Sequence, residues 1–528
     1  MTAAPNTPKS LTHTAARGAM LGSIAALIDR FSALGIQAVL TYILLKEDFG
    51  IWSLASPIMA LATVMIQTAI RDILIHRSPK FHLWSNPALW LSTTLGVIAA
   101  LTVMIMGIAA SYAYDSPKLT LILLLASLQP LASGITAVSR AKMSIDLRFG
   151  TLAAYFCVTS LSNWLLALLL AALGAGVYSF PLGIAITSIV QIIAIWFIAP
   201  IKVKSHPQRR RWKYFASDTT TVMASNFARW IRTQGDRLIL GFFLTQSMMG
   251  VYFLAFQLSL QTFSVITLNL SSVLLPTLAT LNHDRERQSK AFIRSLKMLL
   301  FLSAPICAGT VVVATPITNL LFDESKWSDL STTLQLITAG MIFRAVEPPI
   351  RSLMNAQGRF RELFYINIAS TISFAIFIVA VLLAAGLVEF PNSRLYAAAI
   401  AGGLYHIVYA IVLIHYGLKD SPESTFSAVR TLTEPLIYAT LAALAAASLT
   451  LLVPDSIQSL NANIIDIIKV IIAVLVFMVV YMLIARIRKP QEFNTLAGFA
   501  IKAAPNKLRP LIQKTSRILF ACDPDSAA

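Results

Sequence analysis

Between Thr219 and Phe243 the chain reads as membrane-helix material, mainly Leu, Ile, Phe, Ala, Trp and Met, yet it carries Arg229, Arg232, Asp236 and Arg237. A central Arg or Asp costs roughly 2.5–3.5 kcal/mol in hydrocarbon on insertion scales. At about 100° per residue these four and Asn226 share an arc of about 140° on one helix face. A membrane helix with one cationic face must turn that face to water, to a partner group or to an anionic cargo.

Other apolar runs carry similar rows. Ser23, Arg30, Gln37 and Thr41 stack on one face of the first, and Thr63, Gln67 and Arg71 follow one another on the second. Gln257, Gln261 and Ser264 lie in line on a later run, and Arg344 and Glu347 precede Pro348-Pro349. Cations outnumber the acids Asp29, Asp72, Asp236, Glu347 and Asp466 within these runs, which suits an anionic ligand. The same groups have structural alternatives. Arg71 and Arg344 sit near run ends, where they can snorkel. Asp29-Arg30 and Asp236-Arg237 can hold helices together, Lys469 has Asp466 nearby, and the Gln rows can act as interhelical glue.

The elements that must position these groups are membrane helices. The chain is 57% hydrophobic and 12% charged, with mean hydropathy +0.72. That composition excludes a soluble globule. Stretches of about 20 apolar residues predict an all-α polytopic protein of about fourteen transmembrane helices. They fall at 19–45, 52–75, 87–111, 119–139, 150–173, 177–200, 219–243, 252–280, 297–318, 330–350, 364–387, 393–416, 431–453 and 463–485. The polar N-terminal stretch runs directly into the first of them, without the pattern of a cleavable signal.

The net charge is +18. With the N-terminus inside, most Lys and Arg residues fall in the tails and loops of one side, while the opposite loops hold only Lys46, Lys118, Lys326 and Arg394. This asymmetry predicts that both termini are cytoplasmic. It also reads the run Lys202 to Lys213 as a topology and lipid-headgroup signal rather than a nucleic-acid site. The basic, partly amphipathic tail from Lys489 to Phe520 reads as lying on membrane lipid. Cys157, Cys307 and Cys522 are far apart, which argues against a disulfide framework and against a metal set. No phosphate-binding glycine loop, metalloprotease motif or nucleophile elbow occurs, so neither a cofactor nor an enzymatic centre is expected.

The chain also repeats itself. Arg140 to Phe149 and Arg351 to Phe360 both read R-x-x-M-x-x-x-x-R-F, and Gly50-Ile51-Trp52-Ser53-Leu54-Ala55 is echoed by Gly250-Val251-Tyr252-Phe253-Leu254-Ala255. These matches pair spans 2 and 4 with spans 8 and 10 in the same order, as in parallel six-helix repeats. The expected division is a tail at 1–17, an N-lobe at 18–201, a basic linker at 202–218, a C-lobe at 219–418, two further helices within 431–485 and a basic tail at 486–528. Two such lobes around a midline site, one rocking against the other, are a transporter plan.

At Leu44 to Trp52, Gly235 to Gly241, Gly250-Val251-Tyr252, Pro276, Pro305, Ala314-Thr315-Pro316 and Leu320-Leu321-Phe322 through Trp327, the chain resembles the polysaccharide transporters. These are the O-antigen and exopolysaccharide flippases of the multidrug/oligosaccharidyl-lipid/polysaccharide exporter superfamily. The resemblance runs over roughly residues 15–420, and it departs at Asp323-Glu324, where such sequences often carry Gly.

The resemblance implies a V-shaped two-lobed bundle in the bacterial inner membrane, flipping a polyprenyl-diphosphate-linked oligosaccharide. Membrane lipids and other glycan-assembly proteins would be its remaining partners. It further implies that Arg30, Arg229, Arg232 and Arg237 serve the diphosphate and that Gln67, Asn226, Gln257 and Gln261 serve sugar hydroxyls, with Arg71 and Arg344 as further substrate-binding candidates. Two routes of energy coupling stay open in the sequence: an inside-negative membrane potential acting on an anion moving outward, and a proton or Na⁺ bound at Asp29, Asp72, Asp236 or Glu347. Three rivals remain. A multidrug or small-solute antiporter calls for acidic sites. A glycan polymerase or ligase calls for large outward loops. A non-transporting scaffold calls for dispensable lumen charges.

Overall fold

A segment in hydrocarbon must satisfy its backbone hydrogen bonds within itself, so the apolar runs fold as long helices. The computed structural model describes residues 8–76, 81–201, 226–227, 230–231, 233–281, 283–388, 390–419, 423–452 and 462–488, with three single positions besides. Among the described residues there is no strand, and ten helices are long and apolar enough to cross a membrane. The protein is an all-α polytopic membrane protein.

The first helices are α1 (Pro8–Ile43), α2 (Lys46–His76), α3 (Phe81–Ala113), α4 (Lys118–Ala126), α5 (Leu128–Ile145), α6 (Phe149–Ala172) and α7 (Ser179–Ile198). Helical residues 233–240 (α8) precede α9 (Gln246–Thr280), α10 (Arg285–Leu321), α11 (Glu324–Trp327), α12 (Leu330–Arg344) and α13 (Glu347–Ala356). Then come α14 (Phe360–Ala385), α15 (Ser393–Gly417), α16 (Thr425–Leu451) and α17 (Ala462–Arg488). Two of the expected spans are divided. The run at 119–139 breaks at Ser127, just ahead of Pro130, which has no N–H to offer the preceding turn. The run at 330–350 breaks at Ala345-Val346, because Pro348 and Pro349 suit the opening turn of a new helix. Within the expected span 219–243, residues 219–225, 228, 229 and 232 lie outside the described residues.

The chain packs as two compact units. The first comprises Met1–Leu254, Ser325–Trp327 and Asn367–Ala398. Within it α1 lies along α6, α5 packs against α2, α3 and α7, and α6 meets α7. Ile70, Leu74, Ala88, Ala137, Val138 and Ala141 form one of its apolar clusters. Two sequence motifs meet here. Phe49 and Trp52 from the start of α2 pack on Phe180 with ring centres 5.6 and 5.1 Å apart. Trp327 stands 5.5 Å from the Phe49 ring and donates its Nε1 hydrogen to the Thr41 carbonyl at 3.3 Å.

The second unit comprises Ala255–Glu324, Ser328–Ile366 and Ala399–Ala528. Its centre is α10, flanked by α12, α16 and α17. Phe292, Leu296, Leu300, Ala304 and Cys307 of α10 are buried against residues such as Ala439, Ala442 and Phe477. Tyr481 on α17 donates its hydroxyl to the Phe301 carbonyl at 2.9 Å. The last two helices are therefore part of this unit's core.

Both repeated motifs build the same backbone twice. In the first copy the N–H groups of Asp146, Leu147 and Arg148 reach the carbonyls of Lys142, Ser144 and Met143 at 2.8, 3.2 and 2.9 Å. In the second, Gln357, Gly358 and Arg359 reach Leu353, Asn355 and Met354 at 3.0, 3.0 and 2.9 Å. Each is a Schellman close to a helix, with its left-handed residue at Leu147 (φ 54) or Gly358 (φ 73). Met143 and Met354 are fully buried beneath these turns. The other echo forms a reciprocal contact inside the first unit. A Cβ on Gly50 would stand 1.8 Å from the Gln246 carbonyl oxygen, and one on Gly250 would stand 2.0 Å from that of Lys46. The starts of α2 and α9 thus cross backbone to backbone, as small residues permit in membranes.

Candidate functional site

The arginine-bearing segment is held by aromatic and glycine contacts from its neighbours in the first unit. Trp230 is buried and donates its Nε1 hydrogen to the Pro57 carbonyl of α2 at 2.9 Å. Tyr114, just past α3, donates its hydroxyl to the Leu238 carbonyl at 2.8 Å. Burial pushes the Tyr114 phenol up to about 12, so it stays a donor at any physiological pH. Gly241 lets this end of the segment close on Leu54 and Tyr114, since a Cβ there would fall 2.4 and 2.8 Å from their side chains. Phe242 lies 4.7 Å from the Tyr114 ring, centre to centre.

The described members of the polar face turn inward. Asn226, Asp236 and Arg237 are 8%, 8% and 4% exposed. The Arg237 guanidinium lies over the Phe253 ring of α9, 5.2 Å from its centre. A guanidinium kept from water on an aromatic face is both stabilised and fixed in orientation. The Arg229 and Arg232 positions lie outside the described residues.

On α1, Arg30 is half-buried and Asp29 accepts a hydrogen bond from the Ser160 hydroxyl of α6. Gln37 and Thr41, which complete the expected stripe, are buried instead, and Thr41 returns its hydroxyl to the Ala38 carbonyl at 2.6 Å. At that end Trp327 covers α1, donating to the Thr41 carbonyl. On α2, Thr63 is half-buried and bonds to the Met59 carbonyl at 3.0 Å, while the side chains of Gln67, Arg71 and Asp72 lie outside the described residues. Gln257 and Gln261 are half-buried on α9 in the second unit. Arg344, at the end of α12, donates to the Met341 sulfur at 3.9 Å, and Glu347 pairs with Arg351 at 2.8 Å. Among the described residues no group of three or more His, Cys, Asp and Glu could hold a metal ion.

Sequence reasoning passed over Trp230, Tyr114 and Phe253, which anchor the segment. A Trp within an arginine-bearing run was the one available signal.

Two family descriptions match the chain. "Polysaccharide biosynthesis protein" covers residues 39–332, and "Lipid II flippase MurJ" covers residues 239–453. The lipopolysaccharide biosynthesis protein WzxC of Escherichia coli (strain K12) is 24% identical over 69% of this chain and 74% of its own length. The succinoglycan biosynthesis transport protein ExoT of Rhizobium meliloti (strain 1021) is 22% identical, over 55% of this chain and 58% of its own. Among solved structures, the lipid II flippase MurJ in an inward closed conformation superposes with TM-score 0.71 at 16% identity, over 88% of this chain and 99% of that one. An inward-facing multidrug transporter of the MATE family superposes with TM-score 0.57 at 14% identity, over 78% and 96%. At these identities the structural likenesses establish a shared fold.

Proposed function

The chain belongs to the polysaccharide biosynthesis protein family, and from that premise we propose that it is a flippase for a lipid-linked glycan precursor. Its cargo would be an oligosaccharide on a polyprenyl diphosphate, carried across the bacterial inner membrane by alternating access. The family match over more than half the chain carries this reading. The relatives named for lipopolysaccharide biosynthesis and succinoglycan transport support it, as does a fold shared with a lipid II flippase. The family is one of transporters, not enzymes.

In this reading both termini are cytoplasmic, and residues 18–201 and 219–418 are the two moving lobes, joined by the linker at 202–218. Arg30, Arg229, Arg232 and Arg237, with Arg71 and Arg344 toward the cytoplasmic end, neutralise the diphosphate through charge-assisted bonds. Gln67, Asn226, Gln257 and Gln261 bond to sugar hydroxyls. Outward movement of an anion is favoured by an inside-negative potential, at about 2.3 kcal/mol per charge per 100 mV. Asp29, Asp72 and Asp236 are the acids that can add ion coupling, whereas Glu347 already has Arg351 as its cation.

The test is glycan export in cells expressing Arg229→Ala and Arg232→Ala at matched membrane abundance, with lipid-linked intermediates followed by a side-specific probe. The expected outcome is loss of export with build-up on the cytoplasmic side. Normal export would demote the two arginines to structure. The fold shared with a multidrug transporter favours, as a second reading, export of a small solute. That reading gains if deletion of the protein leaves glycan export untouched.

A further inference from the structure

A second polar place lies within the first unit, and among the described residues none of its walls comes from the arginine-bearing segment. A cavity of about 500 Å³ opens between α1, α5, α6 and α7, with Asp29, Gln129, Arg140, Tyr155, Asn163 and Thr187 among its walls. Gln129, Asn163 and Thr187 each fall near the middle of a membrane-crossing segment. Amides and hydroxyls at that depth are costly unless they have something to bind. Thr187 is 3% exposed, and neither its hydroxyl nor the Asn163 carbonyl oxygen has a hydrogen-bond partner.

The charge of the walls narrows the ligand. Among the described residues one acid and one base line the cavity, and the protein holds both. Ser160 donates to Asp29, and Arg140 donates to the Ser133 carbonyl at 3.1 Å. A diphosphate calls for a surplus of cations and a cationic solute for a surplus of acids. A bare ion would fill only a small part of the space. What remains is a neutral ligand with many hydroxyls, since each hydroxyl both donates and accepts and so matches mixed amide, hydroxyl and carboxylate walls. Tyr155 and Phe156, edge to face with ring centres 5.8 Å apart, add apolar surface for the C–H face of a sugar ring.

We infer that this cavity is a carbohydrate subsite, taking on the order of one or two sugar rings of the cargo. It rests on the transport reading above and adds to the amides named there a second place for sugar, apart from the arginines that take the diphosphate. Its walls are fixed by helix packing on four elements, so it selects glycans by ring number and hydroxyl pattern rather than by charge.

The test uses the full chain in lipid nanodiscs with two probes, a polyprenyl diphosphate without sugars and the same lipid bearing a disaccharide. Thr187→Val keeps the side-chain shape and removes the hydroxyl, and Gln129→Leu provides a second variant on another helix. Both are expected to bind the bare lipid as the unchanged protein does and the glycosylated lipid about tenfold more weakly. Cys157 lines the same cavity and gives an independent readout. In a chain carrying Cys307→Ala and Cys522→Ser, its alkylation is expected to slow severalfold with the glycosylated lipid and not with the bare one. Undiminished binding of the glycosylated lipid by both variants, or an unprotected Cys157, would overturn the subsite while leaving the transport reading in place. If the unchanged protein binds neither lipid, the transport reading falls and takes the subsite with it.

Discussion

Arg237 sits where a charge is hardest to keep, 4% exposed within a membrane unit, and the ring of Phe253 is one of the groups that make it tolerable. A cation on an aromatic face is worth about 2 kcal/mol when both are shielded from water. Phe253→Leu keeps an apolar side chain of similar bulk but removes the ring face. It is expected to lower the unfolding free energy by about 1–2 kcal/mol, read as a reduced thermal midpoint of the purified protein in detergent. An unchanged midpoint would mean that the guanidinium draws its support from elsewhere. This contact was half legible beforehand. The spacing from Asn226 to Arg237 announces a polar face, because periodicity within one helix is written in the sequence. The ring that meets it belongs to another helix, and no pattern along either one records that meeting. Gln37 and Thr41 show the converse, since they share a face with Arg30 in sequence but are buried, with Trp327 from far along the chain lying on Thr41.

At the scale of the element, the paired turns after α5 and α13 separate what a duplicated motif keeps from what it lets drift. Both copies retain the buried methionine and the same three hydrogen bonds, yet the left-handed position holds Leu147 in one and Gly358 in the other. Nothing crowds Gly358, so a substitution there reports backbone strain alone. Gly358→Ala is expected to cost about 1 kcal/mol, and Leu147→Gly to move stability in the opposite direction by a similar or smaller amount. Thermal denaturation of the two single variants checks both signs. The repeat was readable as spelling, but the strained residue was not, because leucine is no turn former. The divided spans at Ser127 and Ala345 escaped hydropathy for a related reason. A window of apolar residues registers burial and is blind to whether a proline interrupts the backbone ladder.

Across the whole molecule, membrane class and helical architecture followed from composition, and the family followed from motifs in the expected order. What did not follow was how closely the repeats approach one another. At the start of α2 and of α9 a single added carbon would overlap a carbonyl oxygen of the opposite helix. Gly50→Ala and Gly250→Ala are therefore each expected to lower the amount of folded protein in the membrane severalfold, measured by fluorescence-detected size exclusion. An alanine tolerated at either position would mean that the crossing opens at little cost.

The reciprocity of that crossing has a genetic consequence. Whichever alanine comes first must drive the two helices apart, and the second then enters a gap already made. The double variant should cost little more than the worse single one, well short of the sum that independent sites would give. Two positions 200 residues apart in the chain would then drift, revert and be selected as a single locus.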